Sequence, residues 1–188
     1  MNQHKKDLYL QTCASLIKHK ICGLYSDSDT ELLAIMLSEG FRKFHNIAIS
    51  NKGNGKYLGH KYWSIGAWDL FHLNDKKIDL EFKRKIRHEH VIPLNHLIHE
   101  ILFKLDADMP ISQIKDEIKK YSIVAIILQS EDKEVNKKSK NKMPTNWEKG
   151  DIFARYKEAY IEGVCLFEKI IDIETGKRVC EDAQFDYN

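Results

Sequence analysis

The chain has 188 residues, 43% of them hydrophobic and 31% charged, with a formal net charge of +2. That is room for one well-cored domain, with two small ones possible, and it excludes wholesale disorder and a general polycation. No apolar run approaches the roughly 20 residues a membrane span needs, and the first residues lack a leader's apolar core, so a cytoplasmic protein with no membrane partner is expected. The cysteines Cys13, Cys22, Cys165 and Cys180 form no CxxC pair, which predicts reduced thiols rather than a zinc ribbon or a disulfide framework.

Residues 5–22 carry Leu8, Leu10, Cys13, Leu16, Ile17 and Ile21 near helical spacing, ending at Gly23. A second helix is expected after Ser28, with Glu31 three residues on as a capping box, and Gly40 as a place where it bends. Residues 50–59 are rich in Gly, Asn, Ser and Lys and read as a loop; without a Gly-Lys-Ser/Thr ending they make no phosphate-binding loop. Residues 61–73, with Tyr62, Trp63, Trp68 and Phe71, are predicted as a helix whose aromatics pack a core or contact a partner. Asn74-Asp75 ends it, and residues 78–92 read as extended, the histidine-bearing strand running from Ile86 to Ile92. Pro93 suits the first turn of a helix through Leu94 to Leu105. Residues 112–120 form a short helix, and residues 121–128 an interior strand next to the one ending at His90, being apolar on both faces. Ser130 is placed as the cap of a short helix to Asn136. A further helix is expected from Asp151 to Ile161, and a final hairpin turns at Glu174-Thr175-Gly176. The sum is a single α+β domain over 1–188, with 1–74 mainly helical and 75–188 holding the strands.

The chemistry concentrates in Arg87-His88-Glu89-His90-Val91-Ile92-Pro93-Leu94-Asn95-His96-Leu97-Ile98-His99, which holds four of the nine histidines. In a strand His88 and His90 share a face and Glu89 takes the other; in the helix His96 and His99 share a face. Glu89-His90-Val91-Ile92-Pro93 resembles the first segment of HNH-type (ββα-metal) nucleases, an acidic residue and His followed by two apolar residues and Pro. The resemblance implies a strand, a second strand and then a helix supplying His or Asn. It implies His90 as the general base that deprotonates water, and Glu89 as a catalytic carboxylate and metal ligand. His88 and His99 complete the metal set, with Asn95 a weaker candidate. The implied cofactor is a divalent metal, Mg²⁺ or Mn²⁺ ahead of Zn²⁺, and the partner is nucleic acid, DNA ahead of RNA. The basic run Lys83, Arg84, Lys85 and Arg87 would hold phosphates, with Lys137 to Lys142 as a second basic cluster.

The function expected is therefore a metal-dependent endonuclease, of a restriction or phage-defence kind. The competing expectation is a non-catalytic interaction or accessory protein using the aromatic segment 62–71 as its contact surface. Tyr62-Trp63-Ser64, Glu131-Asp132, Met143-Pro144, Trp147 and Ala154-Arg155-Tyr156 further resemble landmarks of bacterial proteins with no activity attached to that likeness. Glu131 and Asp132, following the apolar strand, could hold Mg²⁺ or serve as first-turn helix charges. Asp151 and Arg155 have the spacing of an i,i+4 surface pair.

Overall fold

The computed structural model describes residues 2–47 and 55–181, so of the loop expected at 50–59 residues 50–54 lie outside the described residues, and residues 55–58 are a short helix instead. The fold is mixed α+β with a helical N-terminal third, as the sequence predicts. The chain divides into two compact units, Met1–Lys56 with Ile92–Ile123, and Tyr57–Val91 with Val124–Asn188.

The first unit is helical. Helices α1 (Asn2–Ile21) and α2 (Thr30–Asn46) bury Leu10, Cys13, Ala14 and Ile17 against Leu33, Ala34, Leu37 and Phe41. A Cβ at Gly40 would stand 2.7 Å from Cys13 Sγ, so this glycine permits close helix contact within an uninterrupted α2. Asp29, not Ser28, precedes α2 as its cap residue; ahead of it a 3₁₀ turn, Asp27–Asp29, starts at Ser26, whose N–H donates to the Asp29 carboxylate at 3.0 Å. Both serines have an acidic residue three ahead, so the spacing alone could not choose between them. Two segments join from the middle of the chain. One follows Pro93 as predicted but is irregular inside, with α6 (Leu94–His96), a π-helical turn (Leu97–Ile101) and a 3₁₀ turn (Leu102–Lys104). The other is α7 (Ile111–Tyr121), which buries Ile114, Ile118 and Tyr121. Burial pushes the Cys13 thiol up to about 12, so it is inert. All four cysteines are free.

The second unit is built on a five-stranded sheet in the order β2-β3-β1-β6-β7. Its strands are β1 (Tyr62–Ser64), β2 (Ile86–His90), β3 (Val124–Leu128), β6 (Ile170–Asp172) and β7 (Lys177–Arg178). Strand β3 is interior and pairs antiparallel with β2, Glu89 opposite Ala125 and His90 opposite Val124. It pairs parallel with β1 on its other side. The apolar run thus sits where its two-faced pattern placed it, although Tyr121 closes α7 and the strand starts at Val124.

Several local expectations fail for identifiable reasons. Residues 61–73 are not one helix. Tyr62 and Trp63 pair with Ala125 and Ile126 in β1, and the Ser64 hydroxyl then accepts the Ala67 N–H at 3.1 Å, starting α4 (Ile65–Leu73). Residues 80–85 are helix α5 (Leu80–Lys85) rather than extended, because Asp79 caps it by accepting the Phe82 N–H at 2.8 Å. Helix α8 (Gln129–Ser139) begins two residues before the predicted start, since Glu131 reaches back to the Leu128 N–H at 2.7 Å. The helix expected from Asp151 shrinks to α9 (Ala154–Lys157). A tight hairpin, β4 (Tyr160–Ile161) and β5 (Val164–Cys165), follows it, turned by Glu162 (φ 54°) and Gly163 (φ 80°). The last hairpin turns at Gly176 (φ 73°) as expected. Trp63, Ala67, Phe71, Ile78, Phe82, Ile86, Val124 and Ile126 form one core cluster. The short helix α3 (Gly55–Leu58) precedes β1.

Candidate functional site

Strand β2 alternates, and its two sides do different things. Glu89 points to the side covered by α8 and α9, where its Oε1 meets Arg155 Nη1 at 3.0 Å. The Arg155 side chain is fully enclosed, with 0% exposure, against 22% for Glu89. Its remaining N–H groups are engaged: Nε donates to Ser139 O at 2.8 Å, Nη1 also to His90 O at 3.2 Å, and Nη2 to Lys140 O at 3.3 Å and Asn136 Oδ1 at 3.5 Å. A guanidinium buried this way is a clamp between the end of β2 and the end of α8. Arg155 is therefore not the surface partner of Asp151, which pairs instead with Lys157 at 2.9 Å. The sequence signal was an arginine set between Phe153, Ala154 and Tyr156, an apolar setting that a charge occupies only when paired.

One turn before Asn136, Asp132 accepts the Asn136 Nδ2–H at 2.7 Å. Glu89, Asp132 and Asn136 are thus gathered around Arg155. Burial raises the Glu89 carboxyl above its ordinary range; Arg155 pulls it down and the nearby Asp132 charge pushes it further up. The buried Tyr156 hydroxyl has no hydrogen-bond partner among the described residues. Burial, then the Glu89 charge, raises it well above the usual phenol range. Glu131, next to Asp132, points elsewhere. It is a buried cap that accepts from Ser64 Oγ and the Leu128 N–H, and burial raises its carboxyl too. Glu131 therefore takes the helix-start role considered for the pair.

The other side of β2 carries imidazoles. His88 Nε2 lies 2.8 Å from His60 Nε2, and the His88 and His90 rings are 6.0 Å apart. His90 Nε2 is enclosed. Of the predicted metal set, Glu89 and His88 flank β2 on opposite sides. His99 lies in the helical unit, its ring against Phe103 at 5.5 Å. Among the described residues no three His, Cys, Asp or Glu side chains converge as a ligand group. His96 is half-buried and Asn95 exposed, both in the helical unit.

Lys83, Arg84 and Lys85 are exposed on α5, where Arg84 and Lys85 each lie 3.6 Å from Glu81. Arg87 differs: half-buried, it donates from Nη1 to Ile86 O at 2.8 Å. Oriented to satisfy both partners, the Gln129 amide accepts from Arg87 Nη2 at 2.7 Å and donates to Arg84 O at 2.9 Å. The aromatic segment is core: Trp63 and Phe71 are buried and Trp68 packs against both. Tyr62, Trp68 and Leu70 of the same segment stay half-buried, and Asp69 is exposed. A cleft of about 600 Å³ opens beside Gly66, Asp69, Leu70, Leu128 and Gln129, with none of His88, Glu89 or His90 in its lining. No helix of the described residues is long and apolar enough to cross a membrane. No family model matches the chain, and neither does any curated protein or solved structure.

Proposed function

We propose that this chain is a metal-dependent nuclease that hydrolyses phosphodiester bonds, with β2, β3 and α8 as its catalytic unit. One observation carries the reading. An antiparallel strand pair is followed directly by a helix, and that helix brings Asn136 to the Arg155 guanidinium that holds Glu89, with the Asp132 charge near enough to raise the Glu89 carboxyl. This is the strand, strand and helix order that the HNH resemblance implies, with the segment Ile92–Ile123 inserted between the strands. The helix contribution then comes from α8 rather than from His99.

The donors are of the hard-oxygen kind, although the Arg155 guanidinium already holds Glu89 Oε1 and Asn136 Oδ1. Two carboxylates and an amide oxygen suit Mg²⁺ or Mn²⁺, which keep several waters and complete their shell with substrate phosphate. Glu89 and Asp132 would hold the ion, and bound there it would stabilise the leaving oxygen and the charge developing on phosphorus. Arg155 fixes the Glu89 carboxylate and, through the His90 carbonyl, the strand end. His90 is the general base that the resemblance implies; it closes β2 on the face opposite Glu89, so the attacking water has to meet it around the strand end, and the exposed cations of α5 attract the polyanion.

The test is incubation of the full chain with plasmid, linear DNA and RNA, with Mg²⁺, Mn²⁺ or chelator. Metal-dependent cutting of DNA is expected, abolished in Glu89→Gln, Asp132→Asn and His90→Ala. Because His90 Nε2 is enclosed, thermal melting of His90→Ala must accompany the assay. A variant that melts like the parent and cuts at the parental rate removes His90 as base. A parent that cuts nothing under any metal ends the nuclease reading.

A further inference from the structure

We propose that His60 and His88 form a transition-metal site, of the Zn²⁺ class, on the side of β2 opposite Glu89. It uses neither carboxylate of the nuclease reading, although His88 neighbours His90 on the same face of β2, and its donors are of the other chemical kind. The two Nε2 atoms stand 2.8 Å apart, with ring centroids 4.5 Å apart and planes 72° to each other. Two rings aligned head-on through their nitrogens would keep their centroids farther apart, so the contact is bent.

Both imidazoles are preset. His60 is buried and its main chain is held: the backbone N–H donates to Tyr57 O at 3.1 Å and the backbone carbonyl accepts the Trp63 indole N–H at 3.0 Å. His88 is fixed by its place in the ladder opposite Ile126. In the neutral pair one ring donates its Nε2 hydrogen and the other accepts it. On metal binding that hydrogen moves to the first ring's own Nδ1, which leaves two lone pairs for the cation with no net proton release. Zn–N bonds of about 2.0–2.1 Å in tetrahedral geometry set the nitrogens roughly 3.3 Å apart. Small rotations of the two rings supply that widening. Neutral imidazole suits Zn²⁺, Ni²⁺ and Cu²⁺ and not Mg²⁺, which takes oxygen donors. With no third protein ligand converging among the described residues, water fills the remaining positions.

Calorimetric titration of the full chain with ZnCl₂, and separately with MgCl₂, tests this. One Zn²⁺ per chain is expected, weakened at least tenfold in His60→Gln and in His88→Gln and unchanged in His72→Gln, whose imidazole is exposed on α4. Zn²⁺ should raise the melting temperature of the parent and not of the two histidine variants. If His60→Gln does not fold, His88→Gln carries the same readout. Absence of Zn²⁺ binding by the parent, or an affinity unmoved by both histidine substitutions, overturns the site. Zn²⁺ binding without nucleic-acid cleavage would leave it standing while the nuclease reading fell.

Discussion

Arg155 Nη1 and Glu89 Oε1 meet 3.0 Å apart with the arginine side chain wholly enclosed, so a charge pair fastens the strand that carries the histidines. Removing one partner strands the other in a low-dielectric site. Arg155→Met should cost about 3–5 kcal/mol, read as a lowered urea midpoint. Arg155→Lys should recover only part of this, because an ammonium cannot reach the Ser139, His90 and Lys140 carbonyls and Glu89 together. The double variant Glu89→Met/Arg155→Met should be more stable than Arg155→Met alone, since it leaves no uncompensated charge. Near-parental stability of Arg155→Met would show that the pair is not a clamp.

Stability should also depend on pH through His96. Burial holds its imidazole below the ordinary 6.5; Glu100 opposes this and Lys104 adds to it. A histidine with a depressed folded pKa takes up a proton on unfolding in the window between its two values. The stability it contributes is therefore full above about 6.5 and is lost as pH falls through that window toward the folded value. Parent and His96→Gln, compared by urea unfolding at pH 7.5 and pH 5, should differ in one sense, with the parent losing more on acidification. Equal losses would remove His96 as the source.

Gly40 is a case where packing outweighs propensity. Alanine in a helix interior is ordinarily better than glycine by about 1 kcal/mol. Here the added methyl would lie 2.7 Å from Cys13 Sγ, inside a buried contact between α1 and α2. Gly40→Ala should destabilise, with overpacking of about 1–3 kcal/mol exceeding the propensity gain. Cys13→Ala should relieve it, giving a favourable coupling in the double-mutant cycle. A stabilised Gly40→Ala would mean the thiol moves aside freely.

Period-based features of the fold were legible, and cap-based ones much less so. The run Ile123 to Leu128 announced an interior strand because both of its faces are apolar, and the sheet order places it there. Tyr62 and Trp63 were absorbed into a helix because three strand residues are too few to show alternation. Helix α5 was missed because Ile78, Leu80 and Phe82 alternate like a strand, while the Asp79 cap decides otherwise. At the site, Glu89 and His90 stood out by local motif. Arg155, and through it Asn136, meets Glu89 only through the packing of α8 and α9, which no spacing along the chain encodes. The Arg155 guanidinium is buried by contacts spanning 65 and 66 residues of sequence.

The basic run separates into two kinds of residue, and binding should follow that division. Lys83, Arg84 and Lys85 project from α5 into solvent, whereas the Arg87 guanidinium is committed to Ile86 O and Gln129. Each phosphate neutralised on duplex DNA contributes about 0.9 to the slope of log K against log salt. Neutralising Lys83, Arg84 and Lys85 to glutamine should weaken binding alike on all sequences and flatten that slope, by up to about 2–3 if each meets a phosphate. Arg87→Gln should leave the slope nearly unchanged and lower the melting temperature, because it removes internal hydrogen bonds rather than a free charge. Filter-binding titrations from low to moderate salt would read both effects. A slope unmoved by the triple change would shift the contact to the exposed Lys137, Lys138, Lys140 and Lys142. A slope lost only in Arg87→Gln would show that this guanidinium leaves its backbone partner to meet the phosphate.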